Sequence, residues 1–192
     1  MGRHERQYDD GRFFHSTLPL AAGALIATAC ARIGHEDIGI RQRDDSTFIY
    51  RSPECGGRIG LSTEGDSVWR LCHYVADSLV DVWTLRDSVY RFDCGDVTGD
   101  SVPEILVGVV RATRYRPERD RRLFIFKLYR GELIRPLWLG SRVGLPLVDF
   151  RVERDSLPAM VHTWERRPDS THVEAVYRYQ GFGLKFVGYL SD

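Results

Sequence analysis

Phe92-Asp93-Cys94-Gly95-Asp96-Val97-Thr98-Gly99-Asp100-Ser101-Val102-Pro103-Glu104-Ile105-Leu106-Val107-Gly108 joins an acidic, glycine-containing loop directly to an apolar run. Asp96, Thr98, Asp100 and Glu104 carry their oxygens at even spacing. The loop half reads as a turn, because Asp side chains accept hydrogen bonds from backbone amides two residues on. The half from Ile105 to Val110 is apolar at nearly every position, which predicts a central strand covered on both faces.

Outward from this stretch the same grammar repeats. Val68–Val75 and Leu79–Leu85 alternate apolar and polar residues with the period of half-buried strands, and Leu123–Tyr129 is again apolar on both faces. No window predicts a helix of ten residues. The dipeptide Asp-Ser recurs at 45, 66, 77, 87, 100, 155 and 169, usually just before an apolar run. From 66 to 100 its spacing is 11, 10 and 13 residues, one strand and one turn each time. A longer repeat lies beneath. Asp100-Ser101-Val102-Pro103 returns as Asp155-Ser156-Leu157-Pro158, and Tyr129-Arg130-Gly131 returns as Tyr179-Gln180-Gly181. With a looser unit over 48–91, this predicts an all-β fold of about three antiparallel blade-like sheets of roughly 40–50 residues each. Closed propellers take roughly four to eight blades. Three therefore imply an open, partial propeller with an edge for a homo-oligomer or partner protein to cover, or else a sandwich.

The 192 residues carry 27 basic and 27 acidic side chains, a balance that gives no push toward nucleic acid. The N-terminus reads as an export signal over 1–29: Arg3, Arg6 and Arg12 precede an uncharged stretch from Ser16 to Ala29. Its apolar heart, Leu18–Ala29, is shorter than the roughly 20 residues a membrane-spanning helix needs. Ala27-Thr28-Ala29-Cys30 resembles a bacterial lipobox, which makes Cys30 the expected lipidation site and 30–47 a polar tether to the membrane, with the repeat domain over 48–192. An ordinary cleaved signal and a structural helix are the other readings of this segment. Lipidation of Cys30 leaves Cys55, Cys72 and Cys94, an odd number that forces at least one free thiol. A disulfide between any two and plain buried thiols both remain open.

The residues Asp96 to Gly108 resemble the signature of FG-GAP and VCBS-type β-propeller repeats, and the segments around Leu133–Arg142 and Gly181-Phe182-Gly183 are similar to FG-GAP-like lipoproteins of the Bacteroidales. The resemblance spans about 68–190. It implies a calcium loop in which Asp96 and Asp100 match acidic ligands, Thr98 stands where Asn or Asp is usual and Glu104 closes the set, while Ser101 replaces a glycine. A hard cation takes six to eight oxygens, which one such loop supplies in part. The competing reading has Asp96 and Asp100 capping turns.

Two further groups are candidates for ligand binding. Arg114, Arg116 and Arg119 belong to a cationic stretch, Arg111–Arg122, that breaks the alternation and reads as a long loop able to dock an anionic glycan or headgroup. Trp164, beside Glu165 at a strand end, is the tryptophan best placed to stay exposed. His73 and His162 sit in strands with no nucleophile motif nearby, and no metalloprotease, hydrolase-elbow or phosphate-loop pattern occurs. The expectation is a lipid-anchored, non-enzymatic binding or scaffolding module of the cell envelope, in the outer membrane or periplasm, with an envelope protein or glycan as partner. The alternative is an envelope hydrolase acting on glycans with a carboxylate pair, such as Asp149 with Glu153.

Overall fold

The structure, a computed structural model, describes residues 39–53, 55–65, 68–113, 116–140 and 143–190. Residues 1–29, read above as an export signal, Cys30 and Arg114 lie outside these residues. The described chain is all β. The first sheet is a meander of β1 (Gly39–Asp44), β2 (Thr47–Arg51), β3 (Gly56–Glu64), β4 (Val68–Val75) and β5 (Ser78–Leu85). A second takes β6 (Ser88–Gly95), β7 (Glu104–Thr113), β8 (Arg116–Tyr129) and β9 (Leu133–Leu139), and a third takes β10 (Leu147–Glu153), β11 (Met160–Arg166), β12 (His172–Gln180) and β13 (Gly183–Tyr189). Strands are in sequence order within each sheet, every pairing is antiparallel, and none of the sheets closes into a barrel.

The period-two rule explains how the three sheets stack. Along β7, Ile105, Val107 and Val109 point one way, and they join Phe124, Phe126 and Leu128 of β8 in a core shared with Phe48, Tyr50, Ile59 and Leu71 of the first sheet. Leu106, Leu123 and Ile125 point the other way, into a second core with Phe150, Val152, Val161 and Ala175 of the third sheet. The second sheet is thus the middle layer, dry on both faces. Cross-strand pairs Ile105 with Phe126, Leu106 with Ile125 and Val107 with Phe124 hold its register. Full burial of each such side chain contributes about 1.5–3 kcal/mol.

The punctuation falls where the sequence places it. Among the described residues, the Asp of each Asp-Ser dipeptide at 45, 77, 87, 100, 155 and 169 sits in a connection between consecutive strands, and Ser78 and Ser88 open the strands that follow. Asp100 and Asp155 occupy equivalent loops, each between the first and second strands of a four-stranded sheet, and Gly131 and Gly181 occupy equivalent final hairpins.

Two expectations need correction. Residues 39–44, read as part of the 30–47 tether, form β1 and pair with β2. This edge strand is held by its backbone ladder while its side chains, apart from Ile40, stay exposed, so no alternation marks it. Nor do the described residues of Arg111–Arg122 form a loop: 111–113 and 116–122 lie in β7 and β8, with Arg111 opposite Asp120 and Thr113 opposite Arg116. This β7–β8 arm is polar along much of its length because it runs beyond the two cores, and that leaves no apolar period to detect.

Candidate functional site

The loop between β6 and β7 is built around two acidic side chains that bond to its own backbone. Oδ1 of Asp96 accepts the amides of Gly99 at 2.6 Å and Asp100 at 3.1 Å, and Oδ2 accepts that of Ser101 at 2.8 Å. Gly99 and Ser101 sit at φ +82° and +66°, the left-handed geometry that turns these amides inward. Oε2 of Glu104 accepts Val97 N at 3.0 Å and Thr98 N at 3.1 Å, and its Oε1 accepts Thr98 Oγ1 at 3.2 Å. Asp100 caps its own turn through Val102 N at 2.9 Å. Glu104 is only 2% exposed. Burial, followed by the negative charge of Asp100, pushes its carboxyl up to about 8 against the opposing pull of the Thr98 hydrogen bonds.

The calcium ion that the resemblance implies would need about six to eight oxygens free to face it. The oxygens of Asp96 and Glu104 face N–H and O–H donors, and a cation among them would face those donors' positive ends. Among the described residues no group of three or more His, Cys, Asp or Glu side chains converges as a metal site. As arranged, Asp96, Thr98, Asp100 and Glu104 form a closed, self-capped turn and do not fit a calcium ion.

Beside this turn lies an inter-sheet clamp that sequence reasoning missed. Asp93, buried on β6, accepts Cys94 N through Oδ1 at 2.8 Å and Val152 N through Oδ2 at 2.8 Å, and it takes a short contact from Nη2 of Arg154. The same guanidinium donates from Nε to Cys94 O at 2.7 Å and lies over the Phe48 ring of the first sheet at 5.2 Å. Ala159 N reaches Asp96 O at 2.7 Å. Burial raises the Asp93 carboxyl above its usual range despite the opposing Arg154 charge. Gly95 makes the approach possible, since a Cβ there would stand 2.3 Å from Val152 Cγ1.

Turn and clamp border a cleft of about 350 Å³ to which all three sheets contribute. The first sheet supplies Ile40, Tyr50 and Arg51, the β6–β7 loop supplies Ser101, and the β10–β11 loop supplies Ser156 and Leu157, with Arg154 beside them. Leu157 stands at the rim, 72% exposed. Arg154 spends its Nε and Nη2 donors on Cys94 O and Asp93, and the Ser156 hydroxyl donates to Pro158 O at 3.0 Å, so the polar groups of the cleft serve chiefly to fix its walls.

The remaining candidates are dispersed. Arg119 is exposed in the β7–β8 arm and donates to Val110 O at 3.3 Å. The backbone of Arg116 pairs with Thr113 in the same arm of the middle sheet. Trp164 is half-buried on the third sheet, under the Arg151 guanidinium at 5.9 Å. Its neighbours there are a charged network: His162 Nδ1 lies 2.7 Å from Glu174, and Arg151 reaches both Glu153 and Glu174. Asp149 is held by Arg91 of β6, and Glu153 by Arg151 of its own strand. Glu165, fully buried, accepts Tyr177 Oη at 2.7 Å, Thr163 Oγ1 at 2.8 Å and Leu145 N at 2.6 Å. His73 contacts Glu132 O through Nδ1 at 2.7 Å and Tyr50 Oη through Nε2 at 2.8 Å. A carbonyl only accepts, so Nδ1 carries the proton and Nε2 accepts from the tyrosine. Cys55, Cys72 and Cys94 are all free thiols, and burial raises that of Cys94.

Compared with protein-family models, curated proteins and solved structures, the chain finds no match.

Proposed function

We propose that this protein is an exported, lipid-anchored, non-catalytic binding module of a bacterial cell envelope, made of FG-GAP-type blades, and that its ligand sits in the cleft between the three sheets. The observation that carries this reading is the construction of that cleft. Its walls come from three separate sheets: the Asp93–Arg154 clamp and the Ala159 N to Asp96 O bond tie the second to the third, and the Arg154 guanidinium lies over Phe48 of the first. Pre-formed concavities of a few hundred Å³ where separate structural units meet are favoured ligand sites.

The chemistry of the walls selects the ligand class. Ile40, Tyr50, Pro103, Leu157 and Ala159 give the lining an apolar character with Ser101 at its side, which suits a molecule with an apolar side and a few hydroxyl groups, such as a glycan. The buried His73, Asp93, Glu104 and Glu165 each serve a junction or a turn, which supports binding over catalysis. Export and anchoring rest on the lipobox resemblance at Ala27–Cys30.

A photo-crosslinking residue at Leu157 tests the site in native envelopes. It should give a light-dependent adduct that the same residue at Thr84, on the first sheet, does not. Equal labelling at the two positions, or none at 157, overturns the assignment. Metabolic acyl labelling that persists after Cys30→Ser would overturn the anchor.

A further inference from the structure

A second concavity, of about 340 Å³, lies between the first and second sheets and shares no residue with the cleft. Its floor is the border of the first core, brought to the surface by the period of two. Trp83 and Leu85 share one face of β5, and Phe124 and Phe126 share the face of β8 turned toward it. The rings of Trp83 and Phe126 lie 5.6 Å apart, and those of Phe124 and Phe126 lie 6.5 Å apart. Leu139, paired with Phe124 where β9 ends, completes the apolar side and is 48% exposed. Arg86 and Asp87, which make the whole connection from β5 to β6, and Arg111 of β7 supply the polar side.

We infer that this concavity is a second binding site, for a small planar aromatic carboxylate. Charge selects the anion, since two guanidinium groups and a single carboxylate line the site and leave an excess of positive charge. The ion pair of Arg111 with Asp87 is open at 3.5 Å, and the Arg111 side chain is 52% exposed, so water screens it and a ligand can displace it at little cost. Arg86 is exposed and, among the described residues, holds no carboxylate, whereas Arg91 is spent on Asp149 and Arg135 on Asp81. A guanidinium presents a planar fork that takes a carboxylate through two parallel hydrogen bonds. Shape selects the body. Aromatic rings favour offset or edge-on contact with another ring, and a concavity at the lower end of the roughly 300–1,000 Å³ range of ligand sites suits an acid of one or two rings. The site is separate from the cleft and stands whether or not the cleft holds a glycan.

The test is isothermal titration of the purified full chain with naphthoate, beside naphthamide, its neutral twin of the same shape. The native chain should bind naphthoate with a Kd below about 1 mM, with a matching rise in Tm, and naphthamide at least about 10-fold more weakly. Arg86→Gln should weaken naphthoate binding by at least about 10-fold. Asp87→Asn, which removes the competing carboxylate and frees Arg111, should tighten it by about 3-fold or more. Both variants should keep the far-ultraviolet circular dichroism of the native chain. Opposite shifts follow from charge, whereas a purely structural part for the Arg86–Asp87 connection would weaken binding in both variants. No binding by heat or by Tm at millimolar naphthoate, equal affinity for naphthamide, or variants that shift in one direction or not at all overturns the proposal.

Discussion

Replacing Asp96 by alanine deprives three amides of their acceptor at once. The Gly99, Asp100 and Ser101 donors lie 2.6, 3.1 and 2.8 Å from its oxygens. A hydrogen bond to a charged group contributes about 1.5–3 kcal/mol, and loss of a buried partner costs at least as much. Here the donors belong to exposed residues that water can reach, so each loss is taken at about 1 kcal/mol and the substitution at about 3 kcal/mol. For a folded unit of this size that is a fall in Tm of roughly 6–12 °C. Asp100→Ala removes one such bond, to Val102 N, and should cost about a third as much. Urea unfolding of the three chains, with and without millimolar calcium, measures both the ratio and its cause. The reasoning is refuted if Asp100→Ala costs as much as Asp96→Ala, or if calcium raises the midpoint of the native chain and not of the variants, since a shared ion would load the two carboxylates alike.

Two other substitutions probe the same region. The folded Glu104 carboxyl is raised to about 8 from an ordinary 4.5, so across that window the folded state holds a proton that the unfolded chain has released, and stability falls as pH rises. Between pH 6.5 and 8 the loss should be about 2 kcal/mol greater in the native chain than in Glu104→Gln, the comparison cancelling the histidines common to both, read from urea midpoints at each pH; parallel profiles would show that Glu104 is ionised in the fold. Gly95→Ala drives a methyl against Val152 Cγ1 and should cost about 1–3 kcal/mol, part of which Val152→Ala in the same chain restores; additive losses would place the strain elsewhere.

The sheets were legible in sequence wherever one or both faces of a strand are dry. Val68–Val75 shows its alternation because Leu71 sits in the core while Arg70 faces out, and Ile105–Val110 shows none because both sides are covered. β1 and the arm around Arg116 were missed for the converse reason: backbone pairing holds them, and backbone leaves no mark on composition. The Asp96 turn could be read from local spacing because its donors lie three to five residues away. The clamp could not. Asp93 and Arg154 are separated by 61 residues, and each looks like an ordinary surface charge until the sheets stack. The cleft was hidden in the same way, since no single sheet contains it.

The middle layer, dry on both faces, has a consequence for how the chain is made. Each meander forms from neighbouring segments and is kinetically local. The second sheet nevertheless becomes soluble only when it is covered twice. After the first sheet takes up Ile105, Val107 and Phe126, the side bearing Leu106, Leu123 and Ile125 stays bare until residues 147–177 arrive. During vectorial emergence there is therefore an interval in which a well-formed partial product carries a flat, sticky plane. A chain stopped near Leu139 would hold that plane permanently, a better seed for aggregation than for function.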